Sequence, residues 1–270
     1  MGHAGAGADT MTEGTTKRLV ARLAAADWVV AFTGAGVSAE SGVPTFRGTE
    51  GIWQKFKPEE LASMDAFRRN PALVWEWYAH RKKIIAAIRP NPGHYALARM
   101  EQIFPQFCII TQNIDNLHRR AGSKTVYELH GNIERNYCIS CGASYWNEEV
   151  LLHAGVPRCT ACGGWIRPDV VWFGELLPEE QWDASTRAAE SADVFLSIGT
   201  SGVVYPAASL PILAKRRGAF LVEINPEPTP LTDVADEFLQ GPSGMILPDL
   251  LTSVEEARGT AEQPGTRTYL

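Results

Sequence analysis

The chain has 270 residues and a net charge of −6, from 25 Lys+Arg against 31 Asp+Glu. Its 45% hydrophobic and 21% charged composition excludes wholesale disorder, and no apolar run reaches the ~18 residues of a membrane span. The acidity argues against direct nucleic-acid binding through a broad basic face, while remaining compatible with a basic, lysine-rich peptide.

Residues 1–16 are rich in Gly, Ala and Thr and read as a disordered tail. They contain no basic segment followed by an apolar one, so a cytoplasmic protein is expected. Residues 28–32 are an apolar, β-like run. It leads into Gly34-Ala35-Gly36-Val37-Ser38-Ala39, which matches the G-x-G-x-x-G/A turn that lets a backbone approach a pyrophosphate. A single match of this kind is weak. The chain continues as a loop, Glu40-Ser41-Gly42-Val43-Pro44-Thr45-Phe46-Arg47, without the strand and ribose-binding acid of a plain dehydrogenase. Residues 46–92 carry helical patterns and interrupt the α/β alternation. Within them Tyr78 and Arg81 stand three apart, on one face of a helix. By residue type alone this is a surface helix with a half-buried Tyr beside a snorkelling Arg.

Four further β-like runs follow, at 107–111, 126–129, 194–198 and 220–224. Each ends in small or polar residues: Gln112-Asn113-Ile114-Asp115, His130-Gly131, Gly199-Thr200-Ser201 and Asn225-Pro226-Glu227. Runs that are apolar on both sides of the pleat predict a parallel sheet covered by helices. Ligands bind such sheets at the carboxyl ends of the strands. The fold expected is α/β, one core with two inserted pieces. The domain division is 17–45, 93–134 and 166–252 for the core, 46–92 for a helical insertion and 135–165 for a cysteine module. Residues 253–270 read as a second flexible tail.

Cys138, Cys141, Cys159 and Cys162 form two C-x2-C pairs separated by 17 residues. That spacing is expected of a four-thiolate zinc site; two disulfides would need an oxidising compartment. Four protein ligands leave no place for water, so the ion is structural. Cys108, in an apolar run, reads as a buried small hydrophobe. His130 ends a β-like run where the site should lie, and imidazole can take and return a proton near neutrality. Most of the six histidines must be ordinary. Asn113 and Asp115, read alone, are equally a polar loop with a helix cap.

Taken together, seven ordered blocks resemble the sirtuins, the NAD-dependent protein-lysine deacylases. They are the segment from Gly34 to Arg47, Thr111-Gln112-Asn113-Ile114-Asp115, His130-Gly131, the paired cysteine knuckles, Pro168-Asp169-Val170-Val171-Trp172-Phe173-Gly174-Glu175, Gly199-Thr200-Ser201 and Asn225-Pro226-Glu227. The resemblance covers about 17–252. It implies a Rossmann-type domain beside a smaller domain made of the zinc module and the helical insertion. NAD+, as co-substrate, and an acyl-lysine protein or peptide meet between the two. The resemblance also assigns residues. His130 is the base. Gly34, Ala35, Gly36, Ser38, Phe46, Arg47, Gln112, Asn113, Ile114 and Asp115 hold the nicotinamide and phosphate side. Gly199, Thr200, Ser201, Asn225, Pro226, Glu227 and Ser243 hold the adenosine side. Tyr78 and Arg81 resemble the acyl clamp of the class III branch, which removes succinyl, malonyl and glutaryl groups. Val170 and Phe173 would meet the peptide, whose backbone adds as a strand. The zinc module is compact where some relatives carry longer insertions, which leaves the peptide preference open.

A monomer is expected, with neither membrane nor nucleic acid as a partner. Competing functions are a plain deacetylase, a protein mono-ADP-ribosyltransferase and, last, a non-enzymatic zinc module that reads acyl-lysine.

Overall fold

The computed structural model describes residues 13–43, 58–152 and 155–261. Helix α1 (Glu13–Ala25) leads into strand β1 (Trp28–Thr33), and a five-residue helix α2 (Ala35–Ala39) follows the glycine turn. Helices α3 (Pro58–Leu61), α4 (Met64–Arg69) and α5 (Pro71–Ala87) form the helical insertion. Helix α6 (Pro92–Ile103), strand β2 (Gln106–Thr111), helix α7 (Leu117–Arg120) and strand β3 (Val126–Glu128) return to the core. The starts of α5 and α6 are legible in the sequence as Asn-Pro. Asn70 accepts the Leu73 amide and Asn91 accepts those of Gly93 and His94. The proline that follows each asparagine has no N–H to satisfy.

Strands β4 (Gly131–Cys138) and β5 (Ser144–Trp146), helix α8 (Asn147–Val150) and strand β6 (Ile166–Val170) make a separate antiparallel sheet of order β5-β4-β6. Helix α9 (Glu179–Ser191), strand β7 (Val194–Ile198), helix α10 (Leu210–Arg217), strands β8 (Phe220–Asn225) and β9 (Glu237–Gln240), and helix α11 (Ser243–Ala261) complete the chain. The main sheet has the order β3-β2-β1-β7-β8-β9, and all its pairings are parallel. All five predicted runs lie in it. One face packs on Leu19, Leu23, Leu97, Met100 and Leu250 of α1, α6 and α11. The other packs on α9 and α10 through Ala188, Ala189, Leu210 and Ala214. Among the described residues no helix is long and apolar enough to cross a membrane.

The two insertions share one core. Phe67, Val74, Trp75 and Tyr78 of the helices pack with Ile133, Ile166 and Trp172 of the cysteine module. The Trp75 indole N–H donates to the Ile166 carbonyl at 2.8 Å. Lys82 is buried, donates to the Ile133 carbonyl, and reaches Asn136 Oδ1 at 2.9 Å and Asn147 Oδ1 at 2.8 Å. Burial pushes its ammonium down to about 7. The smaller domain is therefore one unit assembled from two separate stretches of chain.

Three boundaries differ from the sequence expectation. Helix α1 begins at Glu13, inside the stretch read as tail. Helix α11 runs through Ala261, past 253, because Val254 is fully buried and Arg258 donates to the carbonyls of Leu23, Ala24 and Ala26 that end α1. Strand β6 and the start of β4, placed with the core by the sequence reading, belong to the small sheet, where Gly131 pairs with Val170.

Candidate active site

In chain order the strands proceed from β1 outward to β2 and β3, then restart at β7 and run the other way to β8 and β9. The switch point lies between β1 and β7, where open α/β sheets bind ligands. There the turns after the two strands interlock. Gly34 N donates to the Ile198 carbonyl at 3.0 Å and Gly36 N to the Gly199 carbonyl at 2.8 Å. A Cβ on Gly36 would lie 2.7 Å from Gly199 Cα, and one on Gly199 2.5 Å from Val37 N. Gly199 also has φ +60, so both residues are glycine for close approach and one for conformation as well. Ala35 is exposed at this turn.

The loop after β2 closes over the same crevice. Asn113 Nδ2 donates to the Gly34 carbonyl at 2.9 Å and to Ser38 Oγ at 3.1 Å. Gln112 Nε2 donates to Thr200 Oγ1 at 3.0 Å. Ile114 and Asp115 are buried, and Asp115 Oδ1 accepts the Leu117 amide at 2.9 Å. Burial raises the Asp115 carboxyl above the usual carboxylate range. Asn225 Nδ2 donates to the Thr200 carbonyl at 2.8 Å, which ties the end of β8 to the β7 turn. Ser201, Pro226 and Glu227 are exposed on that side. Ser243 is buried at the start of α11 and donates to Glu40 Oε1 at 3.1 Å. The residues expected to line the cofactor thus converge from four strand ends. Phe46 and Arg47 lie outside the described residues.

His130 stands two residues past β3, half-buried. Its Nδ1 lies 2.8 Å from the Gln112 carbonyl. A carbonyl only accepts, so Nδ1 carries the proton and Nε2 keeps a free lone pair. Burial lowers the ring below its ordinary 6.5, which leaves it neutral at pH 7. The His130 carbonyl accepts the Val171 amide at 2.9 Å, so the histidine is tied to the end of β6. Arg167 Nη2 takes the Val170 carbonyl at 2.8 Å, and Phe173 is 53% exposed. Among the described residues the Val171 carbonyl has no hydrogen-bond donor.

Tyr78 and Arg81 are both on α5, where the tyrosine is far more deeply buried than the surface-helix alternative expects. Tyr78 is 1% exposed, with its hydroxyl oxygen accepting the Trp172 indole N–H at 2.8 Å. The Arg81 guanidinium carbon lies 5.1 Å from the Trp77 ring centre. Burial presses Arg81 down from the arginine range, opposed by Tyr78 and by Asp115 of the loop after β2.

Two histidines near the site, His94 and His118, fall among those read in the sequence as ordinary; their ring centres lie 4.8 Å apart behind the glycine turn. His118 Nε2 meets Thr33 Oγ1 at 2.9 Å and His94 Nε2 lies 3.5 Å from Ser38 Oγ. Burial holds both below 6.5, His94 at about 4, so they act as neutral hydrogen-bonding groups. The signal was present in Asn91-x-x-His94, a capping box at the start of α6.

The four cysteines form one cluster whose sulfurs all lie within 4.8 Å of one another. The Cys138–Cys162 and Cys141–Cys159 sulfurs are 3.5 and 3.6 Å apart. That is far beyond a disulfide and close to the ~3.8 Å edge of a tetrahedron with ~2.3 Å zinc–sulfur arms. Each knuckle has a glycine just after its second cysteine, Gly142 and Gly163, turning at φ +74 and +72, and backbone amides point at the sulfurs, Ser140 N at Cys138 Sγ and Gly164 N at Cys162 Sγ. The donor set suits one structural zinc.

The family model described as "Sir2 family" matches residues 34–206, more than half of the chain. The chain belongs to the Sir2 family. Among the relatives of this sirtuin, NAD-dependent protein deacylase 2 of Pyrobaculum aerophilum is 52% identical over 240 residues, spanning 89% of this chain and 96% of that protein. The NAD-dependent protein deacylase of Pyrococcus furiosus is 52% identical over 241 residues, spanning 87% and 95%. A solved Sir2 homolog–NAD complex superposes with a TM-score of 0.85 at 46% identity, over 90% of this chain and 94% of that one. A Sir2 structure bound to acetylated peptide gives 0.81 at 33% identity, over 90% and 99%. As a sirtuin, this chain uses NAD+ as co-substrate.

Proposed function

We propose that this NAD-dependent protein deacylase removes succinyl and malonyl groups from lysine side chains, and acetyl groups more weakly. The observation that carries the reading is the pair Tyr78 and Arg81, one helical turn apart and turned inward. The Arg81 guanidinium lies against the Trp77 ring on the helix that carries Tyr78, and a purely aliphatic acyl group offers it no acceptor. The carboxylate of a succinyl group can accept from both side chains.

NAD+ supplies the nicotinamide–ribose bond and one water is consumed, so the products are nicotinamide, free lysine and 2′-O-acyl-ADP-ribose. Each group of the chain has its part. Asn113 and Asp115 offer the donors and acceptors that match a carboxamide. His130 Nε2 takes the proton of a ribose hydroxyl, with Nδ1 held by the Gln112 carbonyl. Gly34, Gly36 and Gly199 would let the diphosphate approach the backbone, and Asn225 or Glu227 would bind the adenosine ribose hydroxyls. Phe46 would shield the reacting carbon from water and Arg47 would contact phosphate. The peptide adds as a strand at Val170-Val171, using the open Val171 carbonyl.

Arg81→Met tests the clamp. Succinyl- and malonyl-lysine peptides should lose about 100-fold in kcat/KM, as expected for a charge-assisted contact, while an acetyl-lysine peptide changes little. Equal loss on both would remove the acidic-acyl reading. The acetylated peptide bound by a relative favours a plain deacetylase as the second reading, and the same comparison decides between them.

A further inference from the structure

The Tyr78 hydroxyl can accept one hydrogen bond and donate another. Its oxygen is already engaged by the Trp172 indole N–H at 2.8 Å. Among the described residues no acceptor is bonded to its own proton. Burial pushes the phenol up to about 12, so that proton stays in place at neutral pH.

Trp172 is itself fixed from several directions. The Arg167 guanidinium lies 3.4 Å from its ring centre. The Trp172 amide donates to Glu175 Oε2 at 2.8 Å, and Glu175 pairs in turn with Arg167 through both oxygens. Phe67 packs on it with ring centres 5.3 Å apart. A cation over an indole face is held by the ring's electrons, and drawing on them makes the N–H a stronger donor. Hydrogen bonds in a chain polarise one another, so an oxygen that receives this N–H is the better donor on its far side.

We infer that Trp172 is a positioning residue for acyl selection: its indole N–H fixes the Tyr78 oxygen so that the phenolic proton faces the carboxylate of an acidic acyl group beside Arg81. The inference rests on the acidic-acyl reading above. It extends the selecting unit from two residues to a chain running Glu175, Arg167, Trp172, Tyr78. A tryptophan that only fills the core would serve every substrate alike. One that aims a hydroxyl serves those that offer it a carboxylate.

The test is Trp172→Phe, which keeps a ring against Arg167 and Phe67 and removes the N–H. It is assayed on succinyl- and acetyl-lysine peptides together with Tyr78→Phe, the double variant and Arg81→Met. The succinyl substrate should lose about 10-fold in kcat/KM, the scale of one oriented hydrogen bond, mostly through KM. The acetyl substrate should stay within about 2-fold on the same grounds. The double variant should match Tyr78→Phe alone, because the indole then has no hydroxyl to aim. If Arg81→Met discriminates but Trp172→Phe costs both substrates equally, or its loss adds fully to that of Tyr78→Phe, the inference fails and the clamp stands. If Arg81→Met does not discriminate, the clamp falls and takes the inference with it. Should Trp172→Phe not fold, the indole N–H resonance of the wild-type protein replaces it. Assigned by its shift in Tyr78→Phe, it should move on adding a succinyl-lysine peptide and stay still with an acetyl-lysine peptide; no difference between the two overturns the inference.

Discussion

Replacing His130 by alanine should lower kcat/KM for deacylation by 10²- to 10⁴-fold, the range of a positioned general base, with little change in melting temperature. The geometry gives the reason. His130 Nδ1 is committed to the Gln112 carbonyl at 2.8 Å, so Nε2 is the basic nitrogen. Burial lowers its pKa below 6.5, so the ring is already neutral at pH 7 and needs no activation. The sign of the pH dependence follows. Activity should hold as pH falls through 6.5 and decline only at lower pH, where the ring gains its proton. The alanine variant should lack that acid limb. The side chain is half-buried with one hydrogen bond, which is a small part of the stability of either core. A variant that keeps a tenth of the rate, or the same acid limb, would show that another group carries the proton.

Zinc removal should have the second large effect. A structural zinc site contributes on the order of 10 kcal/mol to the fold that holds it. Here the cysteines lie in a module whose sheet has only three strands, too small to stand alone. Its apolar residues are shared with α4 and α5. A chelator, or Cys141→Ala, should therefore disorder the helix that carries Tyr78 and Arg81 as well as the module itself. The main sheet has its own cores on both faces and should persist. The expected melting curve has an early transition that appears only in the zinc-free protein. Removal of one equivalent of zinc with an unchanged melting curve would mean that the thiolates do not hold the fold.

The parallel sheet was legible because its strands are apolar on both sides, a pattern that surface strands lack. The zinc knuckles were legible because two C-x2-C pairs have few other uses. Strand β9 was missed: Glu237-Phe238-Leu239-Gln240 is short and polar at both ends, and it pairs at the sheet edge beside β8. Arg167 and Lys82 were missed for a related reason. Residue type places each on a surface, yet each is buried with several fixed oxygen partners. Only tertiary structure supplies those partners. The same holds for Trp172. In the sequence it is one member of a family-like block, and its bond to Tyr78 joins positions 94 residues apart. The extent of α11 depended on Arg258 reaching the end of α1, a contact between the two ends of the described chain that no local pattern encodes.

The measurement closest to the central claim is a product analysis by mass spectrometry, using zinc-loaded protein, NAD+ and a panel of succinyl-, malonyl- and acetyl-lysine peptides. One nicotinamide and one 2′-O-acyl-ADP-ribose are expected for every lysine freed, with the acidic acyl peptides consumed at higher kcat/KM than the acetyl one. Free succinate or malonate released without NAD+ would contradict that claim, as would ADP-ribose left on protein in place of the acylated product.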